Sequence, residues 1–380
     1  MSWDYVTLDK LGAISRGKSK HRPRNDKTLF GGKYPFIQTA DVKAAGLYLN
    51  EYTETYSDKG LAQSKLWSAG TLCITIAANI ADTTILGIDA CFPDSVMGFI
   101  PYEGVSNVKF VKYAFDILQR DCKKISQGTA QDNLSWKKLS TIKFPAPDIE
   151  IQDKIVSILS VYDDLVENNQ KQIKLLEEAA QRLYKEWFVD LHFPGYEDVE
   201  IVDGVPKGWS KEPIGNIIGK ASRTKQIKTA DYLLEGAIPV IDQSRNFIAG
   251  YTNDSEALVN TGTPVIVFGD HTRILKYIQF PFAKGADGTQ LIISDRTNMP
   301  QSLLYLSLIA VDLSNYHYAR HFKYLKAKSI LIPSQDVADE FDRLISPIFS
   351  QIQKLREKCY KLSQARDLLL PKLMSGEIEV

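Results

Sequence analysis

Cysteine is scarce and carries no pairing pattern. Cys73, Cys91, Cys122 and Cys359 are the four in the chain, and no two form a CxxC. That excludes a CxxC-type zinc site and a disulfide framework, so they read as buried free thiols in a reducing compartment. Long apolar runs are missing too: none approaches the ~20 residues of a membrane span. The opening Met1-Ser2-Trp3-Asp4 lacks the charged-then-apolar order of a secretion signal. A cytoplasmic protein without membrane contact is the expectation. Also absent are GxxxxGK[ST], GxGxxG after a strand, Asn-Pro-Pro-Tyr, HExxH and GxSxG. Asp148, Asp153 and Lys154 imitate the acids and lysine of a metal-dependent nuclease, but the spacing is wrong, and Asp148 stands where a helix N-cap is expected. Intrinsic catalysis, a bound metal and a bound cofactor are therefore not expected.

Net charge is absent as well, since 46 Lys and Arg balance 46 Asp and Glu. Its distribution is uneven. Arg16, Lys18, Lys20, Arg22, Arg24 and Lys27 cluster with His21 against Asp26 alone, and Arg223, Lys225 and Lys228 form a weaker second cluster. Such clusters are solvated loops or phosphate contacts; their recurrence at matching places favours the second.

Two long stripes organise the chain. From Ile155, apolar positions recur in threes and fours through Leu159, Tyr162, Leu165, Ile173, Leu176, Ala180, Leu183 and Trp187. Nearly forty residues at ~1.5 Å rise make a rod of about 55–60 Å. A second copy runs from Phe341 through Ile345, Ile348, Ile352, Leu355, Cys359, Leu362 and Leu369 to Leu373. Two such rods in one chain can pair as an antiparallel coiled coil, with Asn169 as a register-setter. Ser346-Pro347 should kink the second rod, and Arg366 interrupts its stripe, so that it could face a partner.

The two halves align. Trp3 matches Trp209, Tyr34–Ile37 matches Ile238–Ile241, Gly70–Ile74 matches Gly262–Ile266, and Lys143–Pro145 matches Leu331–Pro333. Strand-like runs, 34–38, 72–77 and 96–100, have counterparts at 238–241, 265–268 and 291–293, and helices are expected at 110–121 and 302–312. This is an α+β module occurring twice, with a Pro/Gly linker at 192–209. After each helix the framework persists while the loop changes. Gln127, Thr129, Gln131 and Asn133 stand in the first copy where Tyr316, His317, Arg320 and His321 fall in the second. They are either unrelated surface loops or base-reading side chains, whose donors and acceptors suit the major groove.

The segments Phe144-Pro145-Ala146-Pro147 with Ile151–Val156, Tyr184–Asp190, Val205–Trp209 and Leu368–Ile378, in this order and with the repeat, resemble the specificity subunits of type I restriction–modification systems over essentially the whole chain. The resemblance implies two globular target recognition domains, joined and separated by two long antiparallel helices that form a coiled coil, with an internal pseudo-twofold repeat. The expected divisions are 1–148, 149–192, 193–335 and 336–380. It further implies a non-catalytic chain that reads a split site in double-stranded DNA, one half per domain. Its partners would be two methylation subunits and motor–nuclease restriction subunits, which carry S-adenosylmethionine, ATP and Mg. On that reading Lys18, Lys20, Arg22, Arg24, Arg223, Lys225 and Lys228 grip phosphates, and the two variable loops read bases. Tyr162, Tyr184, Trp187, Phe188 and Arg366 are the candidates for partner docking, the aromatics being equally suited to packing on the adjacent domain. The rival is a coiled-coil scaffold carrying two protein- or glycan-binding modules; it does not account for the paired basic loops.

Overall fold

The computed structural model describes residues 3–76, 81–125, 139–219, 221, 224–315 and 320–380. The chain divides into two units, 1–169 with 358–380 and 170–357. Each unit therefore owns a piece of both long helices, which span Ile149–Tyr184 and Gln335–Met374.

In the first unit a short strand, Tyr5–Thr7, pairs antiparallel with Lys143–Pro145, tying the beginning of the unit to the strand that precedes the first long helix. A five-stranded sheet follows the spatial order Gly12–Arg16, Val96–Pro101, Leu72–Thr75, Thr83–Leu86, Tyr48–Leu49. A four-stranded sheet orders Glu54–Tyr56, Phe30–Phe36, Ala90–Cys91, Leu66–Trp67. The strands Leu72–Thr75 and Thr83–Leu86 are buried at every position, as their β-branched runs require. The helix Val108–Ile125 lays Phe110, Val111 and Phe115 on this core.

The second unit repeats the plan. Ser210–Pro213 pairs with Ser329–Ile332. One sheet orders Ile218–Gly219, Thr289–Ser294, Val265–Gly269, Leu275–Ile278; the other orders Gly250–Thr252, Ile238–Ile241, Phe282–Lys284, Leu258–Val259. A parallel step recurs at matching places, Phe36 beside Cys91 in one unit and Val240 beside Ala283 in the other, and the first unit adds a further one between Tyr48–Leu49 and Ile85–Leu86. The helix Gln301–Ile309 takes the place of Val108–Ile125.

The long helices complete both cores. Ile155 and Leu159 of the first and Leu370, Leu373 and Met374 of the second are sealed in with Leu72 and Phe99. In the second unit Ala180 joins Phe341, Ile345 and Ile352. Within the first unit the pairing is antiparallel: Val166 accepts from Cys359 at 3.8 Å, Asp163 meets Arg366, and Lys154 reaches Val380 at 3.4 Å. Gln152, fully buried, accepts from the Asn107 backbone at 3.0 Å and donates to Pro147 and Val105 carbonyls at 2.8 and 3.0 Å. Asp153 accepts from the Asn107 amide at 2.8 Å. This nuclease-like acid anchors the neighbouring helix.

Three expectations for the helices change. The second helix continues through Pro347, which takes a donor from the Arg343 carbonyl; both residues lie on an exposed face of the helix, open to solvent. Asn169 is buried at 2% exposure, as a seam residue should be, but its amide nitrogen has no partner. The hydrogen-bonded polar group of the seam is instead Asp163, which accepts from Tyr113 Oη at 2.6 Å and pairs with Arg366. Arg366 thus turns into its own unit, where a buried carboxylate demands a cation. Burial and the Asp163 charge both push the Tyr113 hydroxyl far above its ordinary pKa, so it remains a donor.

The Asp163 and Arg366 side chains are 6% and 27% exposed. Arg366→Met strands a buried carboxylate and should lower stability to denaturant by about 3–5 kcal/mol, whereas Arg366→Met with Asp163→Leu should recover most of that. Equal losses in the single and double variants would show that packing, not charge, carries the pair.

Candidate nucleic-acid interface

In the first unit, Arg16 lies opposite Met97, and Val96 opposite Thr75. The basic loop after Arg16 and the turn before Val96 therefore leave the end of the five-stranded sheet at which Thr75 lies. The helix Val108–Ile125 ends there too, since Gln119 Nε2 donates to the Ala81 carbonyl at 3.0 Å and to Asp82 Oδ1 at 2.9 Å. The basic loop is fixed through its backbone: Gly17 donates to Val96 at 2.9 Å, Lys18 to Phe92 at 3.1 Å and His21 to Gln63 Oε1 at 3.0 Å. Gly17 is obligatory, because a Cβ there would sit 2.3 Å from the Phe92 and Pro93 carbonyls.

Pinned in this way, the loop leaves Lys18 and Lys20 exposed. Two of its cations are already committed, contrary to the expectation of free phosphate contacts. Arg22 donates to the carbonyls of Ser19 and His21 at 2.7 and 2.8 Å. Arg24 forks onto Asp94 at 3.0 and 2.9 Å. Asp26 is held down at about 2 by hydrogen bonds from Thr28, helped by His21 and Lys59, so it stays ionised and caps the turn Lys27–Leu29.

The second unit gathers the equivalent loops. Gly269 lies opposite Thr289, so the hairpin 270–274 and the turn 285–288 share one end of the sheet. Asp270 ties them together. Its N–H donates to Gly288 at 2.7 Å, its carbonyl accepts from His321 at 2.9 Å, and its carboxylate accepts from the Phe322 N–H at 2.8 Å. Gln243 accepts from the His271 N–H at 3.1 Å and donates to the Asp287 carbonyl at 2.8 Å. Gly288 adopts φ +83° beneath it. Arg273 donates to Leu313 at 2.9 Å, fastening the hairpin to the segment that leads into the variable loop.

Arg320 is exposed at the start of the short helix His321–Ala327. His321, expected among the base readers, is only 5% exposed and turned inward. Burial, with Arg273 nearby, lowers its pKa and favours the neutral ring. Lys225 is paired with Asp254 at 2.6 Å and so is not a free phosphate contact, while Lys228 is exposed. Gln127, Thr129, Gln131, Asn133, Tyr316, His317 and Arg223 lie outside the described residues. Asp270, His271, Arg273 and Gln243 were missed, although Gly269-Asp270-His271-Thr272-Arg273 between two apolar runs was legible as a polar hairpin tip.

Partner docking also needs revision. Trp187 and Phe188 are each 5% exposed and pack on Phe341, and Phe188 meets Trp209 and Tyr184. They close the second unit because the repeat's opening Trp must bury against the helix end. Tyr162 is half-buried. The exposed apolar residues of that helix segment are Ile158, Val161 and Leu165, recurring at three and four on a stripe separate from the core. Among the described residues no group of His, Cys, Asp or Glu could hold a metal ion, and no helix is long and apolar enough to cross a membrane.

Asp270→Ala should release three loops at once. Amide exchange at His321 and Phe322 should rise at least tenfold while the Val265–Gly269 strand stays protected. Unchanged protection at both amides would show that Asp270 is not the tie.

The type I restriction modification DNA specificity domain, as a family model, matches residues 1–178. The type I restriction enzyme MjaIX specificity subunit of Methanocaldococcus jannaschii is 26% identical, the alignment covering 100% of this chain and 94% of that protein. The EcoR124I/EcoR124II specificity subunit of Escherichia coli is 26% identical over 47% of this chain and 48% of its own. The crystal structure of a type I restriction–modification S subunit from M. genitalium shares the fold, with a TM-score of 0.55 over 98% of this chain and 96% of that one at 16% identity. In sequence over its whole length, and in fold, the chain is similar to the specificity subunits of type I restriction–modification systems.

Proposed function

We propose that the chain is the non-catalytic reader of a bipartite, asymmetric site in double-stranded DNA. The observation that carries this reading is that in the first unit the exposed basic loop after Arg16 leaves the end of the sheet where the helix Val108–Ile125 meets Asp82, while in the second the polar hairpin 270–274 is tied to the start of the helix that carries exposed Arg320. Exposed Lys18, Lys20 and Lys228 would contact phosphates and supply salt-dependent affinity without sequence information. Arg320, with the neighbouring residues of its loop and those of 127–133, would read base edges in the major groove. Because the two loops differ, the half-sites differ. The length of the long helices would set the gap between them, about one helical turn (~34 Å).

Two methylation subunits and the restriction motor–nuclease subunits are the proposed partners. S-adenosylmethionine, ATP and Mg would be theirs, and the methylated base an adenine. The exposed stripe Ile158, Val161 and Leu165 is the proposed docking ridge in place of the buried aromatics.

The test is a binding selection on random duplexes. Arg320→Ala should relax one half-site at a cost of about 1–3 kcal/mol, and Lys18→Gln with Lys20→Gln should weaken all sequences alike. Unaltered preference at both half-sites in Arg320→Ala, or altered preference in the lysine variant, would contradict the assignment of roles.

A further inference from the structure

Lys65 lies far along the chain from the basic loop and belongs to no run of charge. The fold brings it there. Ser64 Oγ donates to the Lys18 carbonyl at 2.8 Å, and Gln63 Oε1 accepts from the His21 N–H at 3.0 Å. The segment 63–65 is thus stitched to the basic loop on both sides of Lys20. Lys65 Nζ sits 3.5 Å from the centroid of the Trp67 ring. That ring cannot yield: it is buried, stacked on Phe92 at 4.8 Å, and backed by Gly98, where a Cβ would lie 2.4 Å from it. A cation on the face of a fixed indole is held in place, yet still offers donors on its outer side.

Among the described residues, the acids around the basic loop are already engaged. Asp26 is engaged by His21, Thr28 and Lys59, and Asp94 by Arg24. Lys65, Lys18 and Lys20 make no ion pair with any described residue; burial lowers the Lys65 pKa first, and the charge of Lys18 lowers it further. Two like charges placed side by side without a counter-charge repel in the free protein. An anion between them removes the repulsion. The orienting aromatic face also spares much of the rotamer freedom that an unheld lysine would lose on binding.

We propose that Lys65, seated on Trp67 beside Lys18, is a DNA-backbone contact, the two ammonium groups sharing one phosphate of the bound duplex. This rests on the DNA-reading role proposed above and adds to it a residue that the charge pattern of the sequence does not reveal.

The test uses the full chain and a duplex of arbitrary sequence, titrated between ~50 and ~200 mM salt. Lys65→Gln should weaken binding several-fold for every duplex and reduce the slope of log affinity against log salt by about one. Lys65→Arg should retain the slope, and Lys18→Gln combined with Lys65→Gln should lose little more than either alone, because one phosphate is shared. Exposed Lys43, mutated to Gln, is the control for a charge removed elsewhere. Independently, acylation of the unmodified protein should label Lys65 in the free chain and spare it in the complex. A wild-type slope in Lys65→Gln, or equal labelling of Lys65 with and without duplex, would overturn the inference while leaving the DNA-reading role intact. No binding of any duplex by the parent chain would overturn both.

Discussion

Neither globular unit closes its core without the long helices. Ile155, Leu159, Leu370 and Leu373 are as deeply buried as the sheet residues Leu72 and Phe99 of the same core, and Phe341, Ile345 and Ile352 serve the second unit in the same way. Burial of a single Leu or Phe contributes on the order of 1.5–3 kcal/mol, so removing one helix would cost each unit several such contributions at once. The helices are therefore walls of the units as well as connections between them. The strand pairs at the base of each unit, Tyr5–Thr7 with Lys143–Pro145 and Ser210–Pro213 with Ser329–Ile332, act with them by fixing where each helix begins.

Polar groups refine what apolar burial leaves degenerate. The two helices carry nearly the same stripe, so apolar matching alone would tolerate more than one register. In the first unit Asp163 selects Arg366 and Tyr113; in the second Glu177 accepts from Arg356 at 2.7 Å, while Arg356 lies 4.2 Å from the Phe247 ring centre. In both places the acid is on the first helix and the arginine on the second. Pairing a helix with its own kind would bring like charges together, a form of specification that costs little where the partners are present.

Much of this was legible in the sequence because framework positions obey simple periods. The stripes located both long helices, and the aligned β-branched runs located three strands per unit, with 238–241 recovered residue for residue. What the sequence hid were pairings between distant residues. Nothing near Arg24 announces Asp94, and nothing near Arg366 announces Asp163, so committed cations looked free. Trp187 and Phe188 looked like docking aromatics because the need of Trp209 for a buried partner is a property of the folded unit. His321 looked like a reader, but the start of a helix docked on Asp270 draws it inward. The hairpin 270–274 carries much of the candidate site, yet its residues matter only through loops that meet in space.

The central claim is that this one chain dictates a two-part DNA sequence. Mapping adenine methylation across the genome of the source cells, with and without the gene, tests it most directly. The account predicts that deletion erases one motif made of two unlike halves at a fixed gap and leaves every other methylated motif untouched. An unchanged methylation map in cells whose partner methylation subunit is expressed and active would contradict it.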